Sequence, residues 1–446
     1  MLRGLAFLLL MSMPVGAQDF FTLKGHGGPI MDVAVSPSGQ IATASFDNAL
    51  GLWEDRTPNW LDGHDAAVVT ATFADTDTLF SGGDDFRVLL WHPDLAKPFE
   101  VTRHKGKVSD IDVTLGANAY VATASWDGTI HFLEVTQFLR AAASPPISFR
   151  KHELTGHSAG VTAVQIRSDG RVYSASSDGT IRLWEITASG SSSRVLVKHG
   201  FGVNKLILNE PAGWLAYGAV DGGTRLINMD TGAQIADFTL ERRPILALAY
   251  HPTTHQLAVG DGEGYIMVVD TDERRIIKDF KAARNGPIWA LAFSPDGQNI
   301  HAGGIEDILY SWPVDTMSEH GQMATGTRSF LENPAELPNG ERQFKRKCSI
   351  CHALTPDSAR KAGPTLHGVF GRPAGSVADY KYSQTLTGSD IVWDESTIDQ
   401  LFDLGPDHFI PGSKMPMQRI TKPQDRRDLV AFLRDATRPN AVEGGN

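Results

Sequence analysis

Residues 156–185 read GHSAGVTAVQIRSDGRVYSASSDGTIRLWE, and this stretch decides how the first two thirds of the chain fold. It opens on a Gly-His pair and continues with two runs of alternating apolar residues, an Asp-Gly pair at Asp178 and a tryptophan at Trp184. Alternating runs of this length indicate β-strands, and an Asp-Gly pair between two such runs indicates a tight turn. The stretch therefore predicts one small antiparallel sheet.

The same pattern recurs about every 40 residues between residues 20 and 312. Five copies carry a His near their start and an Asp six positions before the residue that matches Trp184. Two further copies have Glu263 and Glu306 in the turn position and end at Val269 and Trp312. The His residues are His26, His64, His104, His157 and His199; the turn residues are Asp47, Asp85, Asp127, Asp178 and Asp221; the residues at the tryptophan position are Trp53, Trp91, Leu133, Trp184 and Ile227.

A sheet of this size cannot bury both of its faces alone, so consecutive sheets are expected to stack. Closing the stack into a ring removes its two exposed ends. Seven copies predict seven sheets, although repeats without the Trp or the His, and an insertion at residues 138–152, leave six or eight open. Repetition at fixed positions favours a structural role for the His and Asp residues.

The repeats resemble those of the WD40 family of β-propellers, with the Gly-His pair, the turn Asp and the Trp all in place in repeats one, two and four. The resemblance implies a buried hydrogen-bond network in each blade and an outer strand for the last blade at residues 20–23. It also implies a rigid platform whose loops bind other proteins. Aromatic residues expected on its loop-rich face are candidate contacts with a partner: Phe46, Trp126 and Trp289.

The only two cysteines of the chain lie together, in Cys348-Ser349-Ile350-Cys351-His352. Two cysteines cannot form a disulfide framework, and Cys-x-x-Cys-His is the attachment signature of a c-type haem. Its two thiols bond to the macrocycle, while the adjacent imidazole takes an axial position on the iron. A thioredoxin-like dithiol would need a βαβ context, and a structural zinc site would need further ligands at compact spacing.

From about residue 331 to residue 437 the chain resembles the class I cytochromes c of the mitochondrial and bacterial c2 type. The matches, in order, are Gly340, Phe344, the haem motif, Gly363-Pro364, Leu366, Gly368, Gly371-Arg372, Tyr380, Tyr382-Ser383, Trp393, Pro411-Gly412-Ser413-Lys414-Met415, Leu429 and Phe432.

This second resemblance implies that His352 and Met415 are the axial ligands of one covalently attached haem c. It implies that the carbonyl of Pro364 accepts a hydrogen bond from His352, which orients the ring. It also implies that the first helix crosses the last one closely at Gly340. By distance along the chain alone, Met417 is a rival to Met415. The residues expected around the haem propionates are Arg372, Tyr380, Tyr382, Ser383 and Trp393.

The N-terminal residues 1–17 have the layout of a secretory signal: Arg3, a short apolar core and small residues before a cut after Ala17. No later window approaches the roughly 20 apolar residues that a membrane-spanning helix needs. We therefore expect a soluble periplasmic protein. The expected domains are a propeller at 18–312, a linker at 313–329 that would span about 23 Å if flexible, a cytochrome domain at 330–440 and a tail at 441–446.

The formal net charge of -11 is distributed unevenly. Residues 1–326 hold 25 Lys and Arg against 37 Asp and Glu, whereas residues 327–446 hold 16 against 15. An acidic ring is a poor match for nucleic acid, which needs a basic surface. Lys347 and Lys414 lie near the cysteines and Met415 in the sequence, and are candidates for steering an acidic redox partner.

The sequence thus predicts a multidomain protein, an all-β seven-bladed WD40-like propeller followed by a small all-α cytochrome c domain. His and Met ligation leaves the iron no free position, which favours single-electron transfer over substrate chemistry. The expected function is that of an electron-transfer protein and not an enzyme, with redox proteins as partners. Two alternatives stay open: a catalytic propeller that feeds electrons to the haem, and a redox-sensing scaffold.

Overall fold

The computed structural model describes residues 19–115, 119–137, 147–187, 189–323 and 337–438. They form seven four-stranded antiparallel sheets, followed by a small helical domain. The expected fold class and the count of seven blades are confirmed. The expected signal segment 1–17 and the tail 441–446 lie outside the described residues, as do residues 324–329 of the expected linker.

The ring begins with β1 (Phe21–Lys24), and each later group of four strands forms one blade. Blades 1 to 3 comprise β2 (Ile30–Val35), β3 (Ile41–Ser45), β4 (Ala49–Glu54), β5 (Thr57–Asp62), β6 (Val68–Phe73), β7 (Leu79–Gly83), β8 (Arg87–Trp91), β9 (Phe99–Arg103), β10 (Val108–Thr114), β11 (Ala119–Ser125), β12 (Thr129–Gln137) and β13 (Ser148–Thr155). Blades 4 to 6 comprise β14 (Val161–Ile166), β15 (Val172–Ser176), β16 (Thr180–Thr187), β17 (Gly190–Lys198), β18 (Val203–Asn209), β19 (Trp214–Ala219), β20 (Thr224–Asn228), β21 (Gln234–Asp237), β22 (Ile245–His251), β23 (Gln256–Asp261), β24 (Tyr265–Asp270) and β25 (Arg275–Lys281). Blade 7 comprises β26 (Ile288–Phe293), β27 (Asn299–Gly304) and β28 (Ile308–Pro313) together with β1.

The N-terminal strand closes the ring, as the sequence predicts. β1 pairs antiparallel with β28, with Phe21 opposite Ser311 and Leu23 opposite Leu309. Leu23 and Leu309 are both buried, so the closure adds apolar packing to the strand pairing. The last blade is therefore built from the two ends of the ring sequence.

The hydrogen-bond network expected within each blade is most complete in blade 4. The Trp184 indole donates to the Ser174 hydroxyl at 2.7 Å, and that hydroxyl lies 2.7 Å from Nε2 of His157. Nδ1 of His157 lies 2.8 Å from the Asp178 carboxylate, which also accepts the backbone N–H of Ser158 and Thr180. One carboxylate thus ties the start of the blade to its central turn.

Two blades depart from the sequence expectation. In blade 6 the turn is held by Asp261, two residues before Glu263: its carboxylate accepts the backbone N–H of Glu263 and Tyr265, and Arg242 donates to it at 2.8 Å. In blade 3, part of the segment read as an insertion at 138–152 begins the outer strand β13, which pairs along β12. Alternation alone missed β13 because most of its residues are polar and half of them are exposed.

The described part of the expected linker begins as part of the ring. Val314, Met317 and Met323 are buried in the same apolar cluster as Trp312, and a short 3-10 helix spans Met317–Glu319. Met323 also bridges to Ala283 of the ring. The ring domain therefore extends past residue 312, because these apolar side chains pack into the core cluster formed by blades 6 and 7.

Over its described residues, 337–438, the C-terminal domain has five helices, α1 (Asn339–Lys347), α2 (Gln384–Thr387), α3 (Glu395–Leu404), α4 (Pro406–Phe409) and α5 (Pro423–Ala436). α1 crosses α5 so closely that a Cβ added at Gly340 would lie 2.0 Å from the carbonyl oxygen of Asp428. Phe344 and Phe432 pack beside this crossing, with ring centroids 5.5 Å apart. Only glycine fits at residue 340, as expected from the sequence. Among the described residues, no helix is both long and apolar enough to cross a membrane.

Candidate functional site

Both cysteines and the adjacent histidine come from the turn that ends α1. Cys348 is the C-cap of the helix and donates its N–H to Phe344, and the N–H of His352 then bonds to the carbonyl of Cys348 at 2.9 Å. The two thiols are buried and are not joined to each other. This local turn is why the short spacing of the motif brings two sulfurs and one imidazole to a single surface.

The imidazole of His352 is fixed by the segment 363–364. Its Nδ1 lies 2.8 Å from the carbonyl oxygen of Pro364, the contact expected from the sequence. A Cβ at Gly363 would lie 2.4 Å from Cε1 of the ring, so glycine is needed for this close approach. Removal from water lowers the pKa of His352, which keeps the ring neutral. A neutral ring that donates from Nδ1 has a free lone pair on Nε2, the form that binds a metal.

These groups open into a cleft of roughly 530 Å³, within the size range of cofactor sites. Cys348, Cys351, His352 and Met415 all line it. Met417 is not among the lining residues; it is 52% exposed and lies against Gly405. The structure thus separates the two candidate methionines. The apolar part of the wall consists of Leu366, Val369, Leu386, Ile398, Leu401, Phe402, Ile410 and Leu433.

The polar residues expected near the propionates also line the cleft, but two are already engaged. Arg372 donates to the carbonyls of Thr365 and His367, at 2.7 and 2.8 Å, and its burial lowers its pKa. Tyr380 donates to the carbonyl of Ala362 at 2.6 Å, and burial raises its pKa to about 12. Any hydrogen bond from Arg372 or Tyr380 to a ligand would therefore come from a side chain that backbone carbonyls already hold in place.

The other three expected residues complete this side of the cleft. Tyr382 packs edge-on against Tyr380 with ring centroids 4.8 Å apart, and Trp393 lies in the apolar wall. Among the described residues, the Ser383 hydroxyl finds no hydrogen-bond partner although it is buried, and neither does Oε1 of Gln418, which lines the same cleft. Buried polar atoms without partners are uncommon, and they mark a place for a polar ligand group. With an apolar wall, a neutral imidazole and paired thiols, the residues present fit a haem c.

One rim of the cleft is formed by the ring. Phe46, Asp65, Phe86 and Trp126, from the loops of blades 1 to 3, line it together with Lys347 and Lys414 of the helical domain. Four of the five predicted partner-contact residues, Phe46, Trp126, Lys347 and Lys414, therefore line the same cleft. The fifth, Trp289, is half-buried on the inner strand β26 of blade 7 and does not line it.

Sequence reasoning missed Asp65 and Phe86. Of the aromatic residues that it selected, Phe46 and Trp126 directly precede a turn Asp and Trp289 begins an inner strand, whereas Phe86 follows Asp85 and adopts a positive φ of 69°. Asp65 lies directly after a repeat His, a position to which the repeat pattern assigns no particular residue. A search for aromatic residues on either side of each turn Asp, and not only before it, would have identified Phe86.

Comparison with known proteins matches these two parts separately. A family model for cytochrome c matches residues 337–437, and a model for WD domain G-beta repeats matches 18–54, 57–92, 97–132, 149–185 and 274–312. The solved structure of the WD40 β-propeller domain of Doa1 superposes with a TM-score of 0.55, over 66% of this chain and 96% of that one. Sequence identity there is 18%, so the likeness concerns the fold alone.

Among curated proteins, the cytochrome c of Nigella damascena is 41% identical over 112 residues, 24% of this chain and 98% of that protein. That of Sesamum indicum is 41% identical over 106 residues, 23% of this chain and 93% of that protein. The cytochrome c of Chlamydomonas reinhardtii is 40% identical over 110 residues, 24% of this chain and 97% of that protein. Through its C-terminal domain, which carries a covalently bound haem c, this chain belongs to the cytochrome c family, and that domain follows a seven-bladed propeller of WD40 repeats.

Proposed function

We propose that this protein is an exported carrier of single electrons that holds one haem c, with His352 and Met415 as axial ligands and the propeller as its protein-docking platform. The observation that carries the proposal is the arrangement of the cleft. A neutral imidazole oriented by Pro364, a methionine and two adjacent thiols share one largely apolar cavity. When bound, the haem supplies an iron that changes oxidation state by one electron.

The residues of the chain have separate tasks in this proposal. Cys348 and Cys351 hold the cofactor covalently, and the carbonyl of Pro364 keeps the His352 ring in one tautomer and orientation. Met415, which lines the same cleft, would be the second protein ligand to the iron, and a metal held by both residues would carry electrons without binding a substrate. The apolar wall keeps water out, so the surroundings of the site change little when one electron is gained or lost.

The choice between the two methionines is tested by substitution. In Met415→Leu we expect loss of the methionine-to-iron charge-transfer band and a lower reduction potential, because the thioether favours the reduced iron. Met417→Leu is the matched control and should leave both unchanged, since Met417 lies outside the cleft lining. A band that survived in Met415→Leu and vanished in Met417→Leu would move the ligand assignment.

The number of redox centres per chain distinguishes a simple electron carrier from a protein whose propeller is itself catalytic. Iron and haem assays on the purified protein should each give one per chain, and the mass of the haem-bound peptide should show two thioether bonds. A further redox centre in the ring would contradict the carrier proposal. Within the described ranges, no group of three or more His, Cys, Asp or Glu residues is arranged to hold a metal.

Export to the periplasm is part of the proposal, and residues 1–17 and the haem motif support it. We expect the mature protein to begin at Gln18 and to be released with the periplasmic fraction. N-terminal sequencing of the purified protein checks this directly. An intact Met1 on the haem-bearing protein would refute cleavage at Ala17.

A further inference from the structure

The helical domain touches the ring through backbone as well as through side chains. A Cβ added at Gly27 would lie 2.3 Å from the carbonyl oxygens of both Ala359 and Arg360. These two residues have positive φ angles of 46° and 50°, so an unusual bend of the haem domain meets the ring at this point. The fit allows no side chain at residue 27.

The blade itself does not require a glycine at that position. In blades 2, 3 and 4 the residue after the repeat His is Asp65, Lys105 or Ser158. Each of them donates its backbone N–H to the turn Asp of its own blade, as Gly27 donates to Asp47. The glycine of blade 1 is therefore explained by the approach of the helical domain and not by the WD40 network.

A second contact is electrostatic. Arg360 donates to Asp62 at 2.9 Å, and its guanidinium lies 4.3 Å from the ring centroid of Trp60. Asp65 accepts from Lys414 at 3.1 Å and lies 3.3 Å from the ammonium of Lys381. Burial raises the pKa of Asp65, but Lys414 and Lys381 outweigh it and lower the pKa overall. Three cations of the near-neutral domain thus meet two carboxylates of the acidic ring.

The apolar part of this contact is incomplete. Phe86 and Trp126 line the cleft, yet they remain 40% and 60% exposed. The Asp62 side chain is also 71% exposed. Exposed ion pairs contribute little each and are screened by salt. A contact of this kind fits a reversible association better than a permanent one.

We propose that the face of blades 1 to 3 around Gly27, Asp62 and Asp65 is a docking surface whose occupant is the chain's own haem domain. The docked state places the ring across one side of the haem cleft. A redox protein that needs this side must first displace the ring, so the ring controls which partners reach the haem. This consequence rests on the proposed electron-transfer function, whereas the docking itself does not.

The docking is tested on the full-length haem protein by small-angle scattering and by hydrogen exchange of residues 24–28, 60–66 and 356–363. At low salt we expect a compact particle with these segments protected. At about 1 M salt, where the screening length falls to about 3 Å, we expect a larger radius of gyration and loss of protection in all three segments. Scattering and exchange that do not change with salt would overturn the proposal.

Two sets of variants identify the contact. Gly27→Ser places in blade 1 the residue that blade 4 has at this position, so it should leave the ring's unfolding unchanged and still expose residues 356–363. Ser158→Ala is the matched control in blade 4 and should have no effect on docking. Unchanged protection in Gly27→Ser together with the charge variants below would overturn the proposal.

The charge variants test the ion pair between Asp62 and Arg360 by reversing the charge of each residue, first singly and then together. Asp62→Arg and Arg360→Asp alone should each open the particle, because each replaces a weak attraction with a repulsion between like charges, and the double variant should restore compaction. Glu241→Arg, in the corresponding connection between blades 5 and 6, is the control and should stay closed. If docking is normal but no redox protein exchanges electrons with the haem, the proposed function fails and the inference stands.

Discussion

At the scale of single residues, glycines mark the places where two parts of the chain come closest. Gly363 does not have a positive φ; a glycine is needed there because a side chain would overlap the ring of His352. Gly340 has the same role between α1 and α5. In both cases the absent side chain makes room for a functional or structural partner, so substitutions there act through steric overlap.

We predict that Gly363→Ala disturbs the haem site without unfolding the domain. The new Cβ would lie 2.4 Å from the imidazole, which must rotate away from its hydrogen bond to Pro364. We expect a changed absorption spectrum of the oxidised protein and a domain destabilised by about 1–3 kcal/mol. Gly388→Ala is the control, because its Cβ would make only an ordinary contact at 3.6 Å. An unaltered spectrum in Gly363→Ala would contradict the prediction.

At the scale of the single blade, one carboxylate satisfies several donors. We predict that Asp178→Ala destabilises the ring by about 2–4 kcal/mol, because it leaves His157 and the backbone N–H groups of Ser158 and Thr180 without their partner. The unfolding free energy from denaturant titration measures this loss. Asp169→Ala, at an exposed turn of the same blade, should cost less than about 1 kcal/mol. If the two substitutions lowered the unfolding free energy equally, the hydrogen bonds of Asp178 would not be what stabilises the blade.

Blade 3, which has Leu133 at the tryptophan position, contains a pair of stacked histidines. The rings of His104 and His131 lie 3.6 Å apart and are nearly parallel. Burial lowers the pKa of His104 to about 4 and that of His131 to about 3. Both rings are therefore neutral in the folded protein at pH values where the unfolded chain is protonated, and their contribution to stability is lost as the pH falls from 6.5 toward 4.

Two buried carboxylates on the inner strand β10 have the opposite effect on how stability depends on pH. Asp110 and Asp112 bond to backbone N–H groups of blade 4, and burial raises their pKa values to about 6 and about 7. Their folded pKa values exceed the ordinary 3.8, so the stability they contribute at low pH is lost as the pH rises toward 7. The pH profile of the wild-type protein alone would therefore mix the two effects.

We predict that His131→Phe becomes more stable relative to wild type as the pH falls. The phenyl ring keeps the stack but does not titrate, so the difference in unfolding free energy should shift by up to about 1.4 kcal/mol per pH unit between 6.5 and 4. Comparing the two proteins cancels the contribution of the carboxylates. A difference that is constant across this range would refute the lowered pKa of His131.

At the scale of the whole molecule, the ring depends on a strand that lies about 290 residues from its partner in the sequence. We predict that Leu23→Asp detaches β1, because it buries a carboxylate opposite Leu309. The ring should lose about 4 kcal/mol or more, and the exposed edge of β28 should promote self-association. Calorimetry and size-exclusion chromatography measure both effects. Lys24→Asp, exposed on the same strand, should change neither; a stable monomeric Leu23→Asp would contradict the role of β1.

Much of this architecture could be read from local patterns. The blade pattern around Asp178 spans about 30 residues and the Cys-x-x-Cys-His motif spans five. Each contains within that length all the residues that define it. For this reason the seven blades and the haem domain follow from the sequence. The polar strand β13 could not be read in this way, because pairing with β12 and not alternation places it. The role of Asp261 could not be read either, because it depends on hydrogen bonds to the following turn and to Arg242.

By itself, the sequence determined the repeating sheets and the haem-attachment motif, and it predicted His352 as a ligand to the iron, since each depends on groups close together in the chain. Only the tertiary structure decided that Met415 and not Met417 lines the cleft, and that Phe46, Trp126, Lys347 and Lys414 line this same cleft. Gly27 and Arg360 are more than 300 residues apart, and no local pattern relates them. Their contact depends on how two folded surfaces match in shape and charge, which is fixed only when both domains have formed.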